Sequence, residues 1–169
     1  MPEKVYPKIT VVNDEDEVIG YLPLFDALAQ GLNRRVSAIF ALDKEGNILI
    51  QRRSAQVLYP NLLDFSAAGH VNEGDDYLSC ARAELFEELG IKNAEFTLVA
   101  PPFKTLDFFT AVYKIVIERD VVMNISSEEV ENTFWVSTPD LKEMIIHQPE
   151  QFTQSFLAAW PHVCDKIKI

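Results

Sequence analysis

The segment formed by residues 75–89 restricts the fold more than any other part of the chain. Its apolar residues recur at steps of three and four, which is the spacing of one side of an α-helix. Gly90 follows directly, where helices commonly end in the left-handed conformation that glycine adopts without strain. The sequence therefore predicts an amphipathic helix whose apolar stripe consists of Leu78, Ala81, Leu85 and Leu89.

The same helix carries three glutamates close together. At about 100° per residue, Glu84, Glu87 and Glu88 fall within an arc of roughly 100°. Carboxylates this close repel one another unless a cation lies among them, and such hard oxygen ligands suit Mg²⁺ or Mn²⁺. Taken alone, the cluster is better explained as a solvated acidic helix face, so the surrounding sequence has to decide between the two interpretations.

Strand-like runs surround this helix, and turn residues separate them. Two hairpins are predicted, formed by residues 9–12 with 18–21 and by residues 36–42 with 47–51. Further strands are predicted at residues 96–100, 108–118 and 133–136, and further helices at residues 24–31, 137–146 and 150–160. Strands with interspersed helices are typical of an α/β or α+β domain.

The composition indicates one domain that acts on small molecules. The 169 residues, 48% of them apolar, can bury a core of their own, so we predict a single domain over residues 1–169. A formal charge of −11 disfavours binding to a nucleic acid polymer through its phosphates. The sequence predicts neither a signal peptide nor a membrane span, so we expect a cytoplasmic protein that does not associate with membranes. The oligomeric state stays open, a homodimer included.

The residues around the acidic helix resemble the signature of the Nudix family. That signature reads Gly, five residues, Glu, seven residues, and then Arg-Glu-aliphatic-x-Glu-Glu-x-Gly-aliphatic, and seven of its nine fixed positions match. The matching residues are Gly69, Glu84, Leu85, Glu87, Glu88, Gly90 and Ile91. The resemblance implies an α/β/α sandwich with a mixed β-sheet. Residues 69–91 would form a loop, a helix and a loop, and residues 1–33 an N-terminal hairpin extension with a short helix.

The resemblance also implies a reaction. In the family, glutamates of the signature bind Mg²⁺ or Mn²⁺, and water attacks a phosphorus atom of a small-molecule diphosphate linked to another group. By position, Glu84, Glu87 and Glu88 become metal ligands, and the Gly69 carbonyl a further ligand. Glu87 or Glu88 also becomes the catalytic base. Such a reaction is accelerated mainly by electrostatic stabilisation.

Two positions depart from the signature. Asp75 stands where the family has glutamate, which keeps the charge and shortens the side chain by one methylene. Ala83 stands where the family has an arginine, which would lie one helical turn from Glu87 and orient it by charge-assisted hydrogen bonds. We therefore hypothesise weakened or altered catalysis, and a Nudix-like module that binds a diphosphate without efficient hydrolysis is the alternative.

Over most of the chain the resemblance extends to the Nudix subgroup similar to isopentenyl-diphosphate isomerase. It rests on the segments at residues 50–53, 59–60, 63–71 and 135–139. In the isomerase a catalytic cysteine precedes the Gly-His pair, and upstream histidines help to bind a metal. Here Ala68 takes the cysteine position, and no histidine precedes His70. The isomerase reaction is therefore a weaker alternative than hydrolysis.

Several further residues are candidates for the site. We expect Arg53 to face inward from the end of a strand, where its forked donors could hold a diphosphate, although a solvent-exposed arginine is the alternative. His70 is expected to bind substrate or metal, or else to form a local hydrogen bond. The glutamates that precede the last strand are a possible extra ligand or base, but a solvated loop is the favoured interpretation. They are Glu128, Glu129 and Glu131.

Overall fold

The structure, a computed structural model, describes residues 6–169. Residues 1–5, the beginning of the predicted extension 1–33, lie outside the described residues. The strands are β1 (Lys8–Val12), β2 (Val18–Pro23), β3 (Asn33–Leu42), β4 (Ile48–Arg53), β5 (Leu63–Asp64), β6 (Ala67–His70), β7 (Thr97–Thr105), β8 (Phe108–Val116) and β9 (Val130–Val136). The helices are α1 (Leu24–Ala29), α2 (Tyr77–Leu89), α3 (Thr138–His147) and α4 (Gln154–Val163).

Strand β3 is the centre of a mixed nine-stranded sheet in the described part of the chain. It runs parallel to β8, from Arg34 opposite Phe108 to Leu42 opposite Val116. Its other edge pairs in turn with β1, β6 and β4, all antiparallel. The second half of this central strand is buried on both faces, which explains why residues 38–42 are continuously apolar instead of alternating.

Helices cover both faces of the sheet. Phe40 of β3 packs in one core cluster with Phe156 and Trp160 of α4, while its neighbour Ile39 packs on the opposite face with Leu85 of α2. Successive residues of a strand point to opposite faces, so one strand supplies both cores. The result is the predicted α/β/α sandwich with a mixed sheet.

The predicted N-terminal hairpin is confirmed, and its turn is tied to the start of α2. Strands β1 and β2 pair antiparallel, and the turn residue Asp16 accepts a hydrogen bond from Arg35 Nε at 2.7 Å. The Tyr77 hydroxyl donates to Asp16 Oδ2 at 2.9 Å. The hairpin extension is thus fixed relative to the helix that carries the glutamates.

Helix α2 begins two residues later than the periodicity predicts. Asp76 caps its first turn by accepting from the Ser79 amide at 2.8 Å, and the Asp76 amide donates to the Ser79 hydroxyl at 2.9 Å. This capping box places Asp75 in the preceding loop. The predicted end is confirmed, since Gly90 has a φ of 70° in the left-handed region.

Most of the remaining segments agree with the predictions in kind and differ at their ends. The predicted helix at residues 150–160 is wrong at its start, because a short 3-10 helix at Pro149–Gln151 ends at the extended Phe152 before α4 begins. The sequence did not predict the strands β5 and β6, which are only two and four residues long, too short to show an alternating pattern. Strand β7 continues through Pro101 and Pro102, where its register against β8 shifts. No helix within residues 6–169 is long and apolar enough to cross a membrane.

Candidate metal centre

Three carboxylates from two separate segments meet near the end of α2. One oxygen each of Glu84, Glu88 and Glu129 lies within 4.8 Å of the other two. Glu84 and Glu88 are one turn apart on α2, and Glu129 directly precedes β9. Among residues 6–169, no lysine, arginine or histidine forms an ion pair with any of the three. We refer to Glu84, Glu88 and Glu129 as the carboxylate cluster.

Glu84 lies directly against the backbone of Gly69. A Cβ atom built on Gly69 would stand 2.0 Å from Glu84 Oε1 and 2.6 Å from its Oε2. Strand β6 holds Gly69 in place by pairing with Ser37 of β3. Glycine at position 69 therefore leaves the space that the carboxylate occupies, which is a physical reason for the spacing between these two signature residues.

Replacing Gly69 with alanine should displace the Glu84 carboxylate and leave the fold intact, because the clash falls on the flexible end of a side chain. We expect the affinity for Mn²⁺ to fall by about 10- to 100-fold, as when the support of a metal ligand is lost. Isothermal titration with Mn²⁺ measures this change. Gly20→Ala is the matched control, since nothing lies within 4 Å of a Cβ atom at that position. Equal Mn²⁺ affinities of the two variants would contradict the prediction.

Glu88 is buried, whereas Glu87 is exposed, although both follow Glu84 on the helix. Around the helix Glu88 lies about 60° from the buried Leu85, and Glu87 about 160° from it. Glu88 is 4% exposed and accepts a hydrogen bond from Gln51 Nε2 at 2.6 Å. Glu87 lies outside the carboxylate cluster, so its role as ligand or base stays a prediction.

Glu129 reaches the cluster because its loop is docked on the end of α2. The amides of Asn124 and Ser126 donate to the carbonyls of Leu89 and Glu88, each at 2.9 Å. These bonds satisfy carbonyls that the helix end leaves without a partner. Glu129 is half-buried in this docked loop, which differs from the favoured interpretation as part of a solvated acidic loop, and its role as ligand or base stays a prediction. Its neighbours Glu128 and Glu131 are exposed.

Burial and the charges of nearby carboxylates raise the pKa values of all three carboxyls. Burial, followed by the charges of Glu87 and Glu129, raises the pKa of Glu84 to about 8. Burial and the Glu84 charge raise the pKa of Glu88 well above its ordinary value, against the hydrogen bond from Gln51. Burial, then Glu87, raises the pKa of Glu129. Near neutral pH such a cluster retains protons or takes up a cation.

The donor set fits a hard divalent cation. Three carboxylate oxygens stand close enough to share one ion, and oxygen is the donor that Mg²⁺ and Mn²⁺ prefer. Burial raises the pKa of the adjacent Cys80 thiol to about 12, so this soft donor stays protonated. Cys80 Sγ lies 3.6 Å from the Gly69 carbonyl, which accepts its hydrogen bond; the carbonyl as a further ligand stays a prediction.

The metal-free protein should lose stability as the pH rises from about 5 to about 8. Over this range the unfolded chain ionises Glu84 while the folded chain keeps its proton, because the folded pKa is raised to about 8. One pKa unit corresponds to about 1.4 kcal/mol. Melting temperatures across this range, with a chelator and with saturating Mg²⁺, measure the effect. We expect Mg²⁺ or Glu84→Gln to reduce the decline, and an equally steep decline in all three samples would contradict the assignment.

Arg53, the last residue of β4, is half-buried, and it is not the solvent-exposed arginine of the alternative interpretation. Its side chain is 21% exposed and forms an ion pair with the buried Asp64 at 3.2 Å. Its Nε donates to the Leu58 carbonyl at 2.9 Å. Arg53 pairs with Val130 across β4 and β9, next to Glu129 in the chain, and its charge opposes the rise in the pKa of Glu129. A contact between Arg53 and substrate stays a prediction.

His70 forms a local hydrogen bond, one of the two arrangements expected for it. Arg34 Nε donates to His70 Nε2 at 3.4 Å, and Arg34 also pairs with Asp107 at 3.0 Å. Burial, followed by the Arg34 charge, lowers the pKa of His70 to about 4, so the imidazole is neutral. His70 is not in the carboxylate cluster, and its role in binding substrate stays a prediction.

Comparison with known proteins identifies the family. A model of the NUDIX domain matches residues 31–156. An uncharacterised Nudix hydrolase of Nostoc sp. is 31% identical over 144 residues, which are 81% of this chain and 84% of that protein. A Nudix hydrolase of Deinococcus radiodurans is 32% identical over 127 residues, 69% of this chain and 72% of that protein.

A solved structure has a similar fold. The crystal structure of a Deinococcus radiodurans protein superposes with a TM-score of 0.81 at 26% sequence identity. The superposition covers 92% of this chain and 98% of that protein. Because the domain match spans most of the sandwich and includes the whole signature segment 69–91, this chain belongs to the Nudix domain family.

Proposed function

We propose that this protein is a divalent-metal-dependent hydrolase. Its substrate is a nucleoside diphosphate linked to another group, or a related small organic diphosphate, and the bond it cleaves is the pyrophosphate bond. The observation that carries the proposal is the carboxylate cluster, in which Glu84, Glu88 and Glu129 converge and form no ion pair with a cationic side chain of residues 6–169. Membership of the Nudix family and relatives named Nudix hydrolases support the same reaction class.

The cluster residues hold Mg²⁺ or Mn²⁺ in this proposal. When bound, the ion neutralises the diphosphate and makes an attacking water more acidic. Glu84 and Glu88 contribute ligands from one rigid helix, and Glu129 contributes a third from the docked loop. Glu87, exposed beside them, or Glu88 accepts the proton as water oxygen bonds to phosphorus and the bond to the leaving phosphate breaks.

Arg53 is the cation we assign to the diphosphate itself. It lies beside the cluster, and its guanidinium is held by Asp64 and by the Leu58 carbonyl. A guanidinium fixed in this way presents its donors without losing further side-chain freedom. The positive charge of Arg53 beside the three carboxylates also helps an anionic substrate to approach a protein whose formal charge is −11.

A substrate screen tests the proposal. Nucleoside diphosphate derivatives, dinucleotides and isoprenoid diphosphates are incubated with Mg²⁺ or Mn²⁺, and release of phosphorylated products is followed. We expect release from at least one class, only with metal, and much slower release by Glu88→Gln. Thermal shift with each compound separates binding from hydrolysis, and the absence of metal-dependent release from every class would contradict the proposal.

A diphosphate-binding module with little activity is the second candidate, and Ala83 is the observation that favours it. The neighbouring Arg82 does not take the place of the family's arginine, because its guanidinium lies over the Phe96 ring, 6.0 Å from the centroid. Metal-dependent binding in the same screen without product release would favour this module. An isomerase remains the weakest alternative, since Ala68 has no proton to donate. The resemblance to the isomerase subgroup stays a prediction.

Restoring the arginine should raise turnover. In Ala83→Arg the new side chain starts one turn before Glu87 and can orient it, for an expected gain of about tenfold, the lower end of the range for ligand-supporting residues. The rate on a substrate found in the screen measures this gain. Ala83→Lys adds the charge without the forked donors and should gain less. A rate for Ala83→Arg no higher than that of the unaltered protein would count against the hypothesis that its absence weakens catalysis.

A further inference from the structure

Gln51 is a buried polar residue that directly follows the apolar first half of β4. Strand β4 begins with Ile48, Leu49 and Ile50, all of them buried, and Gln51 continues the run with only 2% of its surface exposed. Burying an amide costs free energy unless its hydrogen bonds are satisfied. Gln51 Nε2 donates to the Ser66 carbonyl at 3.0 Å and to Glu88 Oε2 at 2.6 Å. The amide thus connects the sheet to one member of the carboxylate cluster.

The anchor of this connection is itself fixed. Ser66 is completely buried, and its hydroxyl donates to the Leu49 carbonyl at 2.6 Å and accepts from the Ala41 amide at 2.8 Å. Strand β4 is paired with β9 on one edge and with β5 on the other. The Gln51 amide therefore has one orientation set by the sheet, and it presents its second N–H to Glu88.

We propose that Gln51 is a positioning residue that holds Glu88 in the orientation needed to bind the divalent cation. The inference rests on the proposed function. A neutral amide suits this task, because it fixes one carboxylate oxygen and leaves the negative charge of Glu88 for the cation. A lysine or arginine at the same place would neutralise that charge and repel the ion.

This arrangement differs from the support that the family signature provides. There, an arginine on the helix orients the glutamate at position 87, and here Ala83 cannot. Gln51 acts from the sheet and on Glu88. In this chain a residue of β4 therefore supports the buried Glu88. In the family signature, an arginine of the helix supports the residue at the position of the exposed Glu87.

Mn²⁺ binding without substrate tests the inference, with calorimetry of the full chain as the measurement. Gln51→Met keeps the length of the side chain and removes the donor, and Gln51→Asn keeps the amide but shortens its reach. We expect both variants to bind Mn²⁺ about 10- to 100-fold more weakly, the usual cost of losing the support of a ligand. Circular dichroism selects the folded variant if one of them fails to fold.

A double substitution separates positioning from a general structural effect. If Gln51 acts through Glu88, adding Gln51→Met to Glu88→Gln should weaken Mn²⁺ binding no further than Glu88→Gln alone. A further loss as large as in the single Gln51 variant would overturn the inference, as would unchanged Mn²⁺ affinity in a folded Gln51 variant. Both results leave the proposed function standing. An unaltered protein that binds no Mn²⁺ would overturn the inference together with the metal dependence of that function.

Discussion

Glu88→Gln should lower the turnover of a diphosphate substrate by roughly 10³-fold, because metal stabilisation is worth several kcal/mol and each 1.4 kcal/mol is about tenfold in rate. The substitution keeps the shape of the side chain and removes the charge that holds the cation. The Gln51 amide can still donate to the new amide oxygen, so the buried hydrogen bond survives. Initial rates at saturating Mg²⁺ measure the loss.

Stability should change in the opposite direction. In the metal-free protein Glu88 is buried and close to Glu84, and both effects raise its pKa well above the ordinary value. Near neutral pH, folding must therefore retain a proton that the unfolded chain has lost, and this lowers stability. Glu88→Gln removes that cost, so its melting temperature in a chelator should rise.

An exposed carboxylate provides the control for both measurements. Glu95→Gln makes the same chemical change in the exposed loop after α2 and should alter neither turnover nor melting temperature. Unchanged turnover in a folded Glu88→Gln protein would remove Glu88 from the proposed metal centre. A fall in melting temperature in the chelator would contradict the argument about its buried charge.

Local signals explain why α2 and its end could be predicted from sequence. The apolar steps that end at Leu89 and the left-handed Gly90 depend on residues within a few positions of one another. The same holds for Ser137, whose side chain accepts from the Asp140 amide and caps α3. Such signals do not depend on where the rest of the chain lies, so they are present in the sequence itself.

The sequence also contains the difference in burial between Glu87 and Glu88, but only through the angle of each residue around the helix. Both residues fit within one arc of roughly 100° with Glu84, and that arc by itself does not separate them. The separation comes from Leu85, which marks the side of α2 that packs on the sheet. Glu88 is close to that side and becomes buried, and Glu87 is far from it and stays exposed.

Glu129 and Gln51 could not be assigned from sequence, because non-local contacts position them. The loop that carries Glu129 is docked through backbone amides on carbonyls of α2, and backbone groups have no residue-specific signal. Gln51 is 37 positions from Glu88 in the chain, and the two meet only because β4 lies beneath the helix. A glutamate in an acidic loop and a glutamine at the end of a strand are both ordinary residues until the fold brings them together.

Glu129→Gln should lower turnover by roughly 10²-fold, which corresponds to about 3 kcal/mol of lost transition-state stabilisation. Glu129 is the member of the carboxylate cluster that does not come from α2, so it adds a third negative charge from a separate segment. The fold should not change, because residue 129 is held through its backbone: its carbonyl accepts a hydrogen bond from the Ser54 amide at 2.9 Å. Rates at saturating Mg²⁺ and Mn²⁺ affinity measure the loss.

The neighbouring glutamates provide the controls for this prediction. Glu128→Gln and Glu131→Gln remove the same charge within two positions of Glu129, but both side chains are exposed and lie outside the cluster. If the acidic loop acted only through its total charge, the three variants would lose activity equally. If Glu129 is a ligand, its variant alone should bind Mn²⁺ more weakly, because only its oxygen lies within 4.8 Å of those of Glu84 and Glu88.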